Sequence, residues 1–375
     1  MKRTRIAGGL LTTLLTPLAA HADWEVNMTQ GVTDLSKEIY VLHMAAFWVC
    51  VVIGIVVFGA MIWSIMHHRK DKGVKPATFH ESTTIEIIWT VVPVIILISL
   101  AIPAAQALVK IEDSSNADMT IKVTGYQWKW EYEYAEEGIR FFSNLAQTSR
   151  EASALGSDID PNTVDNYLLE VDNPVVIPVG KKVRFLFTAN DVIHAWWVPE
   201  LAVKKDAIPG FVNDMWAQVN TPGTYRGQCA ELCGKDHGFM PITVIAKEEA
   251  DYKAWVAEQQ AAAKAAAAES NSTFEMAELM EKGKKVYDTS CAACHGATGA
   301  GIPGVFPAMT GSPITTGDMK AHIDIIINGK PGTAMQAFGN QLSDADIAAV
   351  VTYERNGLGN SVGDMAQPAD IKALR

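Results

Sequence analysis

The chain has 375 residues, 49% of them hydrophobic and only 19% charged, with a net charge of −11. That length predicts two or three domains of ordinary size. The apolar content excludes a disordered chain, and the acidic balance excludes nucleic acid as a partner, because phosphates are held by basic patches. Five cysteines are too few for a disulfide scaffold. Cys50 stands alone in an apolar run, whereas Cys229/Cys233 and Cys291/Cys294 come as close pairs. Pairs of this kind beside histidines point to cofactors.

Residues 1–22 read as a signal peptide: Lys2, Arg3 and Arg5 precede an apolar core, and Ala20-His21-Ala22 offers the cleavage site. Two longer apolar stretches follow, 40–66 and 85–109, ~40 Å and ~38 Å long as helices. Each is enough to cross a ~30 Å hydrocarbon layer. The segment 67–84 between them carries Arg69, Lys70, Lys72 and Lys75, which the positive-inside rule places in the cytoplasm. Residues 23–110 are therefore expected to form a two-helix transmembrane hairpin in a lipid bilayer, with both ends on the exported side. Everything after about 110 is expected in the periplasm. Cys50 is expected only to pack. Glu86 has two readings, a capping box with Thr83 at the start of the second span and a functional carboxylate at membrane level. The residues by themselves favour the cap.

Residues 111–249 read as a β domain, with short strands at 120–124, 167–171, 175–179, 183–188 and 242–245, punctuated by Gly, Pro, Asn and Asp. The polar stretch 143–166 reads as a long loop. Acidic residues outnumber basic ones across 111–253; such a face would attract a basic partner, and a merely soluble surface is the equal alternative. The alanine-rich 250–272 shows no hydrophobic face and reads as a semi-rigid helical linker. Residues 273–375 have the length of a small all-helical domain, with helices at 274–287 and 343–355, the latter opening on Ser343-x-x-Asp346.

The most informative run is Cys229-Ala-Glu231-Leu-Cys233-Gly-Lys-Asp-His237-Gly-Phe-Met240. Two thiolates four residues apart, a histidine four further on and a methionine three beyond that make one loop of soft and borderline ligands, which suit copper. His194, placed on a loop after the 183–188 strand, could meet this loop at one end of a barrel. Two cysteines allow both sulfurs to bridge two copper ions, spreading one unpaired electron over both. Zinc in a Cys/Cys/His/His site is an alternative that leaves Met240 unexplained; a Cys229–Cys233 disulfide is another.

With these residues in place, the first 250 positions resemble subunit II of the haem-copper cytochrome c oxidases. Gly125-Tyr-Gln-Trp128-Lys-Trp130-Glu-Tyr132 is similar to that family's aromatic segment, and Ile85-Glu86-Ile-Ile-Trp89-Thr-Val-Val-Pro93 to its second span. The resemblance implies a Greek-key β-barrel cupredoxin domain holding a dinuclear copper centre, CuA. It implies bridging by Cys229 and Cys233, one copper each for His194 and His237, Met240 as a weak ligand and Glu231 as a ligand through its backbone carbonyl. The Glu231 side chain would reach a magnesium ion shared with subunit I. Trp128 would be where electrons arrive from cytochrome c, and Glu86 would stand at the mouth of a proton path. The residues alone favour a plain barrel-face aromatic at Trp128. Lys129 departs from the family, which commonly has an aromatic there.

Cys291-Ala-Ala-Cys294-His295 is the attachment motif of a c-type haem, with two thioether bonds and His295 as proximal ligand. A thioredoxin-like redox pair is the competing reading. Met335 is the expected second axial ligand of haem c, with Met309 and Met319 as alternatives; Gln336 stands where similar cytochromes often have proline. The carboxyl-terminal domain resembles the class I cytochrome c fused in caa-type oxidases. The implied function is the electron-input subunit of a proton-pumping terminal oxidase, with subunit I, subunit III and cytochrome c or another periplasmic donor as partners. A nitric oxide reductase subunit carrying CuA and a membrane-tethered copper carrier are the alternatives.

Overall fold

The computed structural model describes residues 27–75, 78–154 and 156–375; the expected signal peptide lies outside them. The chain divides into one unit containing residues 37–104 and a second formed by 32–36 with 105–375. Helices α1 (Asp34–His67) and α2 (Thr83–Glu112) are both long and apolar enough to cross a membrane. Their side chains point outward, Ile55, Ile88 and Leu97 among them, as lipid-facing residues do. The Glu86 N–H bonds the Ser82 carbonyl. The first helical hydrogen bond of α2 thus starts one residue before the expected Thr83 cap.

The second unit opens with a β-sandwich. Its strands are β1 (Met119–Tyr126), β2 (Lys129–Tyr134), β3 (Ile139–Ser143), β4 (Val175–Pro178), β5 (Lys182–Ala189), β6 (His194–Val198), β7 (Val203–Ala207), β8 (Asn213–Gln218), β9 (Gly223–Cys229) and β10 (Pro241–Lys247). One sheet runs β3-β2-β1-β5-β8 and the other β4-β10-β9-β6-β7. Pairing is antiparallel except for β1 with β5 and β10 with β4, the crossings of a Greek-key arrangement. Inward residues of both sheets interdigitate: Ile121, Val123, Trp130, Tyr132, Phe185, Phe187, Trp196 and Val244 are fully buried. Burying each stabilises the fold by roughly 1.5–3 kcal/mol.

β2 breaks the alternation expected of a sheet with one solvated face. Trp130, Tyr132 and Tyr134 fill the core, yet Lys129 and Glu131 on the opposite face are buried as well.

Three expectations are corrected. Residues 167–171 form no strand: Leu168 takes a positive φ and the Leu169 N–H closes a turn on Asn166, leaving Val171 a single bridge to Leu145. The expected loop 143–166 contains a helix, α3 (Gln147–Ser153), and a one-turn 3-10 helix at Pro161–Thr163. The alanine-rich segment is helical, α4 (Glu249–Glu269), but its first turns belong to the sandwich. Tyr252 is buried in that core, and the Trp255 ring lies 5.3 Å from Tyr134 and 6.2 Å from Phe141. Two large aromatics among many alanines supply an apolar anchor that average composition hides.

The remaining helices are α5 (Met276–Ser290), α6 (Ala292–His295), α7 (Pro313–Thr316), α8 (Met319–Asn328), α9 (Asp344–Asn356) and α10 (Pro368–Lys372). They enclose their own core of Leu279, Tyr287, Ile323, Ile347, Val350, Val351 and Ile371. α9 starts on the expected Ser343/Asp346 capping box. α5 and α9 approach so closely that a β-carbon on Gly283 would meet the Ala349 carbonyl oxygen at 2.1 Å, so glycine is required there.

Candidate metal and haem sites

β6 begins at His194, so this residue sits on a strand, which corrects its expected place on a loop. Trp196 pairs with Cys229 across β6 and β9, and a strand's period of two turns His194 the same way as core-facing Trp196. Cys229 ends β9, and Cys233, His237 and Met240 follow on the loop before β10. One end of one sheet thereby gathers the whole group. Cys229 Sγ lies 3.8 Å from Cys233 Sγ and 4.0 Å from His194 Nδ1. Cys233 Sγ lies 3.5 Å from both His237 Nδ1 and Met240 Sδ. The Glu231 carbonyl oxygen is 3.4 Å from Cys229 Sγ, while its side chain is exposed.

The sulfurs are far beyond the ~2.05 Å of a disulfide, and both cysteines are free. Thiolate–metal bonds of ~2.3 Å let two sulfurs at that spacing share an ion. Each sulfur also has its own histidine, Cys229 with His194 and Cys233 with His237. Metal bonding favours thiolates, and the contact with Cys233 lowers the Cys229 thiol against the opposing effect of burial. The same contact, with burial, pushes the Cys233 thiol up. Burial lowers the basicity of His194, but its contacts with Asp191 and Cys229 outweigh this and raise it.

Residues behind the ligands fix them. Asp191 Oδ1 is 2.9 Å from His194 Nε2, which leaves Nδ1 for a metal. Gln127 Nε2 and the Trp128 indole N–H both donate to the Cys233 carbonyl, at 2.8 and 3.2 Å, and the Trp130 indole N–H donates to the Met240 carbonyl at 3.2 Å. Trp128 is thus tied to the backbone of a sulfur ligand and is half-buried, with Lys235 Nζ 5.9 Å from its ring. A β-carbon on Gly125 would stand 2.7 Å from the His194 ring. Asp191, Gln127 and Gly125 were not singled out in the sequence. Only Asp191, three residues before His194, left a signal there, since metal-binding histidines are commonly held by a carboxylate.

In the helical region, Cys291 caps α6, which carries Cys294 and His295. The Pro307 carbonyl accepts a hydrogen bond from His295 Nδ1 at 2.9 Å, fixing the tautomer that frees Nε2 for iron. Burial raises both thiols, Cys291 strongly, the opposite direction to Cys229. Met335 is half-buried against this core, as are Met309 and Met319. Its loop is pinned by the Lys330 N–H on the Met335 carbonyl at 3.0 Å. Gly329, at φ 68°, permits the tight turn beneath it. Glu86 lies in the first turn of α2.

Family profiles match in three stretches: the transmembrane domain of cytochrome c oxidase subunit II at 21–107, its periplasmic domain at 119–247, and subunit III of the cbb3-type cytochrome c oxidase at 278–353. The chain is 38% identical over 234 residues to a probable cytochrome c oxidase subunit 2 of Rickettsia bellii, covering 62% of this chain and 84% of the relative. It is 36% identical over 246 residues to cytochrome c oxidase subunit 2 of Arabidopsis thaliana, covering 65% and 93%. A crystal structure of the periplasmic domain of subunit II of cytochrome oxidase from Bradyrhizobium japonicum is 40% identical, covering 39% of this chain and 96% of that one, with a TM-score of 0.35.

Proposed function

The chain belongs to the cytochrome c oxidase subunit II family, and on that premise we propose how its own residues carry the electron-input role. It is a subunit of a haem-copper oxidase and a two-pass membrane protein with its later domains in the periplasm. Its partners are subunit I and a cytochrome c donor.

We assign the dinuclear copper to Cys229 and Cys233 as bridging thiolates, with His194, His237, Met240 and the Glu231 carbonyl completing the set. The observation that carries this is the shared geometry: two unbonded sulfurs 3.8 Å apart, each beside its own histidine. We assign haem c to Cys291 and Cys294 by thioether bonds, with His295 and Met335 as axial ligands; the His295–Pro307 hydrogen bond supports the proximal role. Bound there, copper and haem supply one-electron chemistry at potentials set by these ligands. The protein holds the ligands still. Asp191 orients His194, and Trp128 and Gln127 clamp the Cys233 carbonyl, so that little need move when charge changes.

Within the same reading, Trp128 is the point where electrons can arrive and the exposed Glu231 carboxylate reaches magnesium at the subunit I boundary. Glu86 opens a proton path serving proton pumping, and subunit III is a further neighbour. Elemental and haem analysis of the purified oxidase tests the assignment. Two coppers and one covalent haem per chain are expected, with Cys233→Ser losing both coppers and keeping the haem. Full copper retention in that variant would overturn the bridging role. Met335→Leu is expected to keep the thioether haem and lose the spectral signature of methionine ligation.

A further inference from the structure

Gln336 follows Met335 on the loop between α8 and α9. Its side-chain nitrogen donates to the Gln127 carbonyl at 3.0 Å and to Asp191 Oδ2 at 3.2 Å. An amide nitrogen has two N–H donors, and here each meets an oxygen of the sandwich. The Asp191 carboxylate is itself fully engaged: Oδ2 accepts the Gln127 N–H at 2.7 Å, while Oδ1 accepts the Val192 N–H at 2.7 Å and faces His194 Nε2 at 2.9 Å. Two further contacts flank this pair. Lys129, on the outer face of β2, is buried with its Nζ 5.4 Å from the Phe338 ring and 4.4 Å from the Phe142 ring, a cation–aromatic arrangement. Arg150 of α3 donates to the carbonyls of Asp288 and Thr289 in the last turn of α5, at 2.8 and 3.3 Å, where a cation complements the helix end.

We propose that these contacts form a built dock holding the haem-binding helices on the sandwich in a single register, and that Gln336 is its positioning residue. Through Asp191, Gln336 ties the Met335 loop to the carboxylate that orients His194. The dock covers Lys129, which lies on a face that a free sandwich would leave in water, with the Phe338 ring. The inference rests on the ligand roles proposed for His194 and Met335, but its contacts are read from the protein alone.

The test is hydrogen–deuterium exchange on the full chain, comparing the parent with Gln336→Glu. That substitution replaces both donors by a carboxylate facing Asp191 and a carbonyl, so the latch becomes repulsive. Exchange is expected to rise about tenfold or more, equivalent to about 1.4 kcal/mol, in two places at once: 126–130 on the sandwich and 334–342 on the helical side. Segments 225–229 and 344–356, inside the two cores, are expected to stay protected. Unchanged exchange, or a rise confined to 334–342, would overturn the dock. Gln336→Ala, which removes both donors without adding charge, is expected to raise exchange in the same two segments by less than Gln336→Glu; an equal rise would overturn repulsion at Asp191 as the cause. Amide exchange reads the dock whether or not copper and haem are bound as assigned. A parent chain lacking the two-copper signal would sink the relay reading and leave this test decisive.

Discussion

The copper loop and the haem motif reach similar ends by different means. His194 and Cys229 come from strands paired in one sheet, and two of the ligands are held by partners distant in sequence, Cys233 by Trp128 and Gln127 and Met240 by Trp130, while Asp191 stands three residues before the His194 it holds. The haem motif is local. Cys291, Cys294 and His295 share one turn, and the hydrogen bond fixing His295 comes from twelve residues away. The thiols differ accordingly, Cys229 being lowered by its contact with Cys233 while burial raises Cys291 and Cys294. A site spread across a sheet depends on the whole sandwich, whereas a site on one turn depends on the helices packed around it.

That contrast can be broken one side at a time. The largest effect is expected from Gly283→Ala, whose new methyl would collide with the Ala349 carbonyl. Separating α5 from α9 should cost about 3 kcal/mol or more. Covalent haem yield should fall sharply while copper content stays intact; equal loss of both would show that the two regions fold as one.

Lys129 gives a pH-dependent contrast. Burial lowers its pKa from the usual 10.5 to about 8, against the opposing pull of nearby Glu131, Asp172 and Asp191. Between those values the unfolded chain binds more protons than the folded one, so stability rises with pH, by up to about 3 kcal/mol. Below pH 8 the charged lysine is buried at a cost. Urea unfolding of Lys129→Met should lose the rise between pH 8 and 10.5; a rise that persists would place its cause elsewhere.

On the copper side, Gly125→Ala should push the His194 ring aside and weaken copper binding about 10- to 100-fold, the range seen when support of a ligand is lost. Chelator competition measures it, with haem attachment unchanged as the control. The smallest effect is expected from Ser343→Ala, which removes the side chain that accepts the Asp346 N–H at 3.1 Å. About 1 kcal/mol of stability should go, read as a lower melting temperature of the haem-binding helices alone.

What could be read from the sequence follows the same division. The haem motif, the α9 cap and both long apolar helices declare themselves locally, through adjacent residues or sustained hydropathy. The copper ligands were legible because five of the six crowd into one loop. Of the residues that hold them, Asp191 left a local signal, but Gln127 and Gly125 did not, because they act on segments far away in sequence. β2 went unrecognised as a strand for a related reason. Its covered outer face gives Lys-Trp-Glu-Tyr no simple solvated side, and His194 was placed on a loop because the strand it opens is short. Gln336 was visible as a departure from a familiar pattern, but its partners lie 145 and 209 residues away.

The most direct test of the relay is electron paramagnetic resonance of the copper-loaded full chain. Hyperfine structure from one electron shared equally by two copper nuclei is expected, abolished in Cys233→Ser. A pattern from a single copper nucleus, or a silent site filled with zinc, would contradict it.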